Sequence, residues 1–221
     1  MKITNRIYAI NLFINRAYLI VGDKLILIDS GFPGSAHRII KFIRSIGRNE
    51  KELKLIILTH YHIDHKGSAR KLKSLTGAKI AAHVLDAPYI EGKIGAFRKV
   101  KNPFGQFFLF IAEILFLYER VKVDILLKDG DEINHLKVIH TPGHTMGSIS
   151  LYDSIEKVIF SGDTMPPQLG RMSWGRNPYS VNSKMEKESL KKLMKLDFEK
   201  FLPTDGKMVL KDAKRVLSQF V

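Results

Sequence analysis

The sequence predicts an α/β domain. Two observations predict the class. Apolar runs of strand length alternate with segments of helical periodicity, and those runs end in loops carrying Asp and His, where a parallel sheet places its working residues. A third, the 45% hydrophobic content over 221 residues, supplies material for a sizeable core in one domain spanning 1–221.

The elements read in order. Residues 1–31 predict three strands joined by tight turns, the last being "KLILID" (24–29). "GSAHRIIKFIRSIG" (34–47) places Ile39, Ile40, Ile43 and Ile46 at helical spacing, with Gly47 as a stop signal. "LKLIILTH" (53–60) is a continuous apolar run and predicts a buried strand. A helix at 68–77 and a strand at 78–83 follow. "ILLKDGDEI" (125–133) predicts a hairpin around Asp129-Gly130. Segments 136–144, 148–153 and 157–164 read as strands, and 182–196 as a helix capped by Asn182 or Ser183. A short strand and turn at 198–207 and a closing helix at 209–220 complete the chain.

The segment 102–121 is the most apolar stretch, interrupted by Gln106 and Glu113. Its apolar run falls short of the roughly 20 residues of a spanning helix. It is read as a helix covering another element: a lid, or a contact through which a homodimer forms, with docking on a membrane surface as the alternative. The N-terminus is broken by Asn5, Arg6, Asn11, Asn15 and Arg16 and does not resemble a signal peptide, so a cytoplasmic protein is expected.

Composition narrows the chemistry. Without cysteine there is no disulfide, thiolate ligand or cysteine nucleophile, and any metal must be held by nitrogen and oxygen. A net charge of +14 suits anionic partners, though a lysine-rich solvated surface gives the same number. Abundant Lys and Ile with little Gln hint at a thermophilic source.

The motif that carries chemistry is "LTHYHIDHKG" (58–67). A chance H-x-H-x-D-H from this composition is expected on the order of once in a thousand such chains. His60 and His62, two apart in an extended segment, face the same way and can reach one ion. Asp64 and His65 stand where the chain turns into the next helix and can face a neighbouring ion. The further ligands must come from other strand ends. His144 in "TPGHTMGS" and Asp163 in "FSGDT" are both in loops after apolar strands.

"LIDSG", "THYHIDHKG", "TPGHTMGS" and "FSGDT", in this order, resemble the metallo-β-lactamase superfamily over almost the whole chain. The resemblance implies a four-layer αββα sandwich, two mixed β-sheets flanked by helices, with the site along one edge of the sheets. It implies a first metal on His60, His62 and His144, a second on Asp64 and His65, and Asp163 bridging both. Asp64 is also the candidate catalytic residue, and Asp29 would orient a ligand histidine. One or two divalent ions are expected, Zn first, with Mn or Fe(II) in the second site. The activity implied is hydrolysis by a metal-bound hydroxide that attacks a carbonyl or phosphoryl centre.

The substrate expected is a small ester, thioester or lactone, with an anionic group for an arginine to pair with. The loop after Asp163 carries Arg171, Trp174, Arg176 and Tyr179 as pocket candidates. The flavoprotein, hydroxyacylglutathione hydrolase and extra-domain nuclease branches carry further domains not seen in these 221 residues. A nuclease or phosphodiesterase acting on nucleic acid is the alternative raised by the charge, and a non-catalytic binding module on the same fold is the third reading. The chain departs from the family near its end. A Pro-Gly-His-Gly turn usually supplies a histidine to the second site, whereas here "FLPTDGK" puts Asp205 at that position.

Overall fold

The computed structural model describes residues 1–95, 119–166, 169 and 181–221. The expected covering helix at 102–121, apart from its last three residues, and the pocket candidates Arg171, Trp174, Arg176 and Tyr179 lie outside the described residues.

Two sheets carry the fold. The first has the order β1 (Ile7–Asn11), β2 (Arg16–Val21), β3 (Leu25–Ile28), β4 (Leu53–Leu58), β5 (Lys79–His83), β6 (Ile125–Leu127). Its first three strands form the antiparallel meander that the tight turns predict, and β3 to β6 run parallel. The second sheet comprises β7 (Glu132–Ile133), β8 (Leu136–His140), β9 (Ile149–Asp153), β10 (Val158–Gly162) and β11 (Lys200–Pro203), with only β10 and β11 parallel. Both sheets are therefore mixed.

Side-chain alternation explains the layering. Along β3, Ile26 and Ile28 face the second sheet, while Leu25 and Leu27 face the helices. Along β4, Leu55 and Ile57 point inward, and Ile56 and Leu58 outward. Leu136 and Val138 of β8 and Val158 and Phe160 of β10 meet the first sheet from the opposite side. A strand buried on both faces reads as a continuous apolar run, as β3 does along its whole length and β4 does after the exposed Lys54. Helix α1 (Ala36–Ser45) lays Ile39, Ile40 and Ile43 on the outer face of the first sheet, beside Leu72 of α3 (Ala69–Thr76). Each such burial is worth about 1.5–3 kcal/mol relative to exposure. The second sheet is covered by Leu190 and Leu193 of α5 (Ser183–Leu193) and Leu217 of α6 (Ala213–Leu217). Three apolar cores between four layers give the αββα sandwich.

Two further short helices stand near the strand ends, α2 (Ile63–Lys66) and α4 (Ala87–Ile90). The Asn182 side chain caps α5 by accepting from the Lys184 and Met185 amides. Among the described residues, no helix is long and apolar enough to cross a membrane.

Two expectations are corrected. Segment 125–133 is not a hairpin: β6 pairs with β5 of the first sheet, and β7 pairs with β8 of the second. The Asp129-Gly130 turn instead carries the chain from one sheet to the other, held by Gly130 N–H donating to the Val138 carbonyl at 2.9 Å. The closing helix is also shorter than 209–220. Val209 is held extended by a two-way backbone pairing with Phe201, at 2.8 and 2.9 Å, so the helix starts only after Asp212.

Candidate metal centre

The site forms where four strand ends meet. β4 leads into Thr59, His60 and His62, and α2 carries Asp64 and His65. The turn between β8 and β9 supplies His144, and the end of β10 supplies Asp163. The second sheet is locked against the first at this point, because Ile149 N–H donates to the Thr59 carbonyl at 2.9 Å. Gly162 makes the approach of Asp163 feasible. Its φ is +55°, and a Cβ there would lie 2.8 Å from the Thr59 hydroxyl.

Two groups of donor atoms converge. One unites His60, His62 and His144, the other His60, His65 and Asp163, with the donor atoms of each group within 4.8 Å of one another. Nδ1 of His62 and Nε2 of His144 are 3.0 Å apart. Asp163 lies between the groups: Oδ2 is 3.3 Å from His144 Nε2, and Oδ1 is 3.4 Å from His65 Nε2. Asp64 Oδ2 is 3.5 Å from His65 Nε2. Asp205, half-buried in the turn after β11, is in neither group, and its Oδ1 accepts from the Gly206 amide at 2.7 Å.

Hydrogen bonds fix which nitrogen faces inward. Asp29, fully buried with φ of 58°, accepts through Oδ2 from His65 Nδ1 (2.9 Å), Thr59 Oγ1 (2.8 Å) and Thr204 Oγ1 (2.9 Å). Its Oδ1 accepts from the Thr59 amide at 2.8 Å. Since the Thr59 hydroxyl donates to Asp29, it accepts from His60 Nδ1, 3.1 Å away. Both rings are thereby turned so that Nε2 points into the site. Thr59 and Thr204 were not singled out from sequence; a hydroxyl beside a ligand is an ordinary residue in the one-dimensional pattern.

The fit to a metal ion rests on atoms left unsatisfied. His60 Nε2, His65 Nε2 and Asp163 Oδ1 are buried with no hydrogen-bond partner, a costly condition unless a further group completes them. Charge agrees. Burial, with His65, His62 and His144 nearby, holds His60 well below its ordinary range, and burial brings His62 down to about 3, so both are neutral and able to ligate. At His65, burial disfavours charge, but Asp163, Asp64 and Asp29 together outweigh it and raise the pKa well above the usual value. The three carboxylates thus call for positive charge at that point. An all-nitrogen and oxygen donor set with a buried carboxylate between its halves suits divalent ions.

The other histidines serve elsewhere. His37 is exposed on α1. His83 and His140 stack with ring centroids 4.2 Å apart. His135 contacts Arg6 and Asp153, each at 3.1 Å.

The profile of the metallo-beta-lactamase superfamily matches residues 10–205. The chain belongs to that superfamily. Within it, the chain is 32% identical over 148 residues to the probable metallo-hydrolase YflN of Bacillus subtilis, which covers 63% of this chain and 55% of that protein. It is 31% identical over 157 residues to the hydroxyacylglutathione hydrolase GloC of Haemophilus influenzae, covering 70% of this chain and 68% of that one. The matched stretch thus spans between about half and two thirds of these relatives. A solved subclass B3 metallo-beta-lactamase of Bradyrhizobium japonicum, BJP-1, superposes with a TM-score of 0.71 at 21% identity, over 99% of this chain and 90% of that one. At that identity the likeness is one of fold. This metallo-beta-lactamase superfamily chain shares the sandwich, and the two relatives just given are hydrolases by name.

Proposed function

We propose that the protein is a metal-dependent hydrolase of a small thioester, ester or lactone. The observation that carries this reading is the pair of donor groups sharing His60, with three buried ligand-type atoms left without hydrogen bonds. His60, His62 and His144 would hold a first divalent ion, Zn by its imidazole preference. His65 and Asp163, with Asp64 3.5 Å from the His65 ring, would hold a second, where the greater oxygen content favours Mn or Fe(II). Such ions polarise a carbonyl oxygen and make water a nucleophile near neutral pH.

The chain's own residues do the rest. His60 and His65 are aimed by Thr59 and Asp29, so little reorganisation is needed on loading. Asp163, within 3.4 Å of a nitrogen in each group, keeps its negative charge because His65 and His144 outweigh its burial. Asp64, whose carboxyl is raised by burial, would take up a proton released at the loaded site. Among substrates, thioesters lead because a hydroxyacylglutathione hydrolase is among the relatives.

A substrate panel tests the reading. Purified protein, loaded with Zn²⁺ or Mn²⁺, should hydrolyse a generic thioester or ester, and chelation should abolish the activity. Turnover of a phosphodiester alone would favour the nuclease alternative that the +14 charge motivates. No turnover of any class with both metals bound would favour a binding module.

A further inference from the structure

Asp86 joins the two sheets where the histidines of the first group meet. His60 and His62 follow β4 of the first sheet, and His144 stands between β8 and β9 of the second. Asp86 comes from a third place, the turn after β5, and is 1% exposed. Its Oδ2 accepts from the Tyr61 amide at 3.0 Å and from Thr145 Oγ1 at 2.8 Å, while its Oδ1 accepts from the Gly147 amide at 2.8 Å. Tyr61 lies between His60 and His62 in the chain, and Thr145 directly follows His144. One carboxylate therefore fixes the backbone on both sides of the cleft. The approach is close: a Cβ on Gly147 would meet Asp86 Oδ1 at 2.3 Å.

We infer that Asp86 is a positioning residue for the first metal, setting how far the His60–His62 segment stands from His144. The inference rests on the reading that these three histidines hold an ion. The backbone bond from Ile149 to Thr59 also ties the sheets, but at the base of both loops. Asp86 reaches past that base to the residues adjoining the ligands. The carboxylate is kept at a cost. Burial pushes it up to about 6, and its three donors, Thr145, Tyr61 and Gly147, offset this only in part. From sequence alone, an aspartate after a strand is indistinguishable from a turn residue.

The test uses the full chain with Asp86→Asn and Thr145→Val, titrated metal-free with Co²⁺ alone. Asparagine keeps the volume but turns an NH₂ group toward at least one donor. Replacing a group that orients ligands typically weakens metal binding about 10–100-fold. Asp86→Asn should show a loss of that order and an altered visible Co²⁺ spectrum, with the far-UV circular dichroism of the metal-free protein retained. Thr145→Val, which removes one of the three contacts, should give a smaller loss in the same direction. Parental affinity and spectrum in both variants would overturn the inference. Should Asp86→Asn fail to fold, Thr145→Val decides alone, and parental binding there overturns it. His60→Ala separates the two levels. If it too binds Co²⁺ like the parent, the metal reading itself fails. If it loses binding while the other two variants do not, only the role of Asp86 fails.

Discussion

Nδ1 of His65 lies 2.9 Å from Oδ2 of Asp29, and both side chains are fully buried. That one contact fixes the ring so that Nε2 faces Asp163 and Asp64. Asp29 also accepts from Thr59 and Thr204, so the same carboxylate supports β4 and the turn after β11.

Asp29→Ala strands four donors in a buried place. At about 1–3 kcal/mol for each unsatisfied group, a loss of at least about 4 kcal/mol is expected. Asp29→Asn should be milder in stability yet still weaken the second metal about 10–100-fold. Thermal melting and metal titration of the two variants check this. Unchanged metal affinity in both would remove Asp29 from the account.

Asp86 carries a pH signature. Its pKa is raised by burial to about 6 from an ordinary 3.8. Between those values the folded chain binds more protons than the unfolded one, so its stability falls as pH rises through that window. A shift of about two units corresponds to about 3 kcal/mol. The metal-free parent, compared with Asp86→Asn, should lose relative stability by that order between about pH 4 and 6. Denaturant melts at both pH values measure it, and a pH-independent difference would contradict the assignment.

Asp205→His tests the departure from the family. A carboxylate reaches less far from the backbone than an imidazole, by about 1 Å against a tolerance of about ±0.2 Å on ligand distances. If Asp205 contributes to the second site, directly or through water, the histidine variant should tighten the second metal and lower the pH of half-maximal activity. Identical metal binding and titration would make Asp205 an ordinary turn residue.

Much of the site was legible because four of its residues fall within six positions, and strand alternation makes buried strands easy to read. His144 and Asp163 were legible only with that cluster as context. What stayed hidden depends on pairings distant in sequence. Asp86 acts through residues about 25 and 60 positions away. Segment 125–133 looks like a hairpin locally, but the open edge of β5 captures β6 and splits the two strands between sheets. Likewise, Val209 has good helical neighbours, yet its pairing with Phe201 holds it extended.

The most direct test is the metal content of the purified chain and of His144→Ala, with His135→Ala as the comparison. Each protein is equilibrated with Zn²⁺, dialysed and analysed by elemental mass spectrometry. His144 faces the shared space, whereas His135 contacts Arg6 and Asp153 away from it. The account predicts at least one ion per chain in the parent and in His135→Ala, and about one fewer in His144→Ala. Equal metal in all three, or none in the parent, would contradict it.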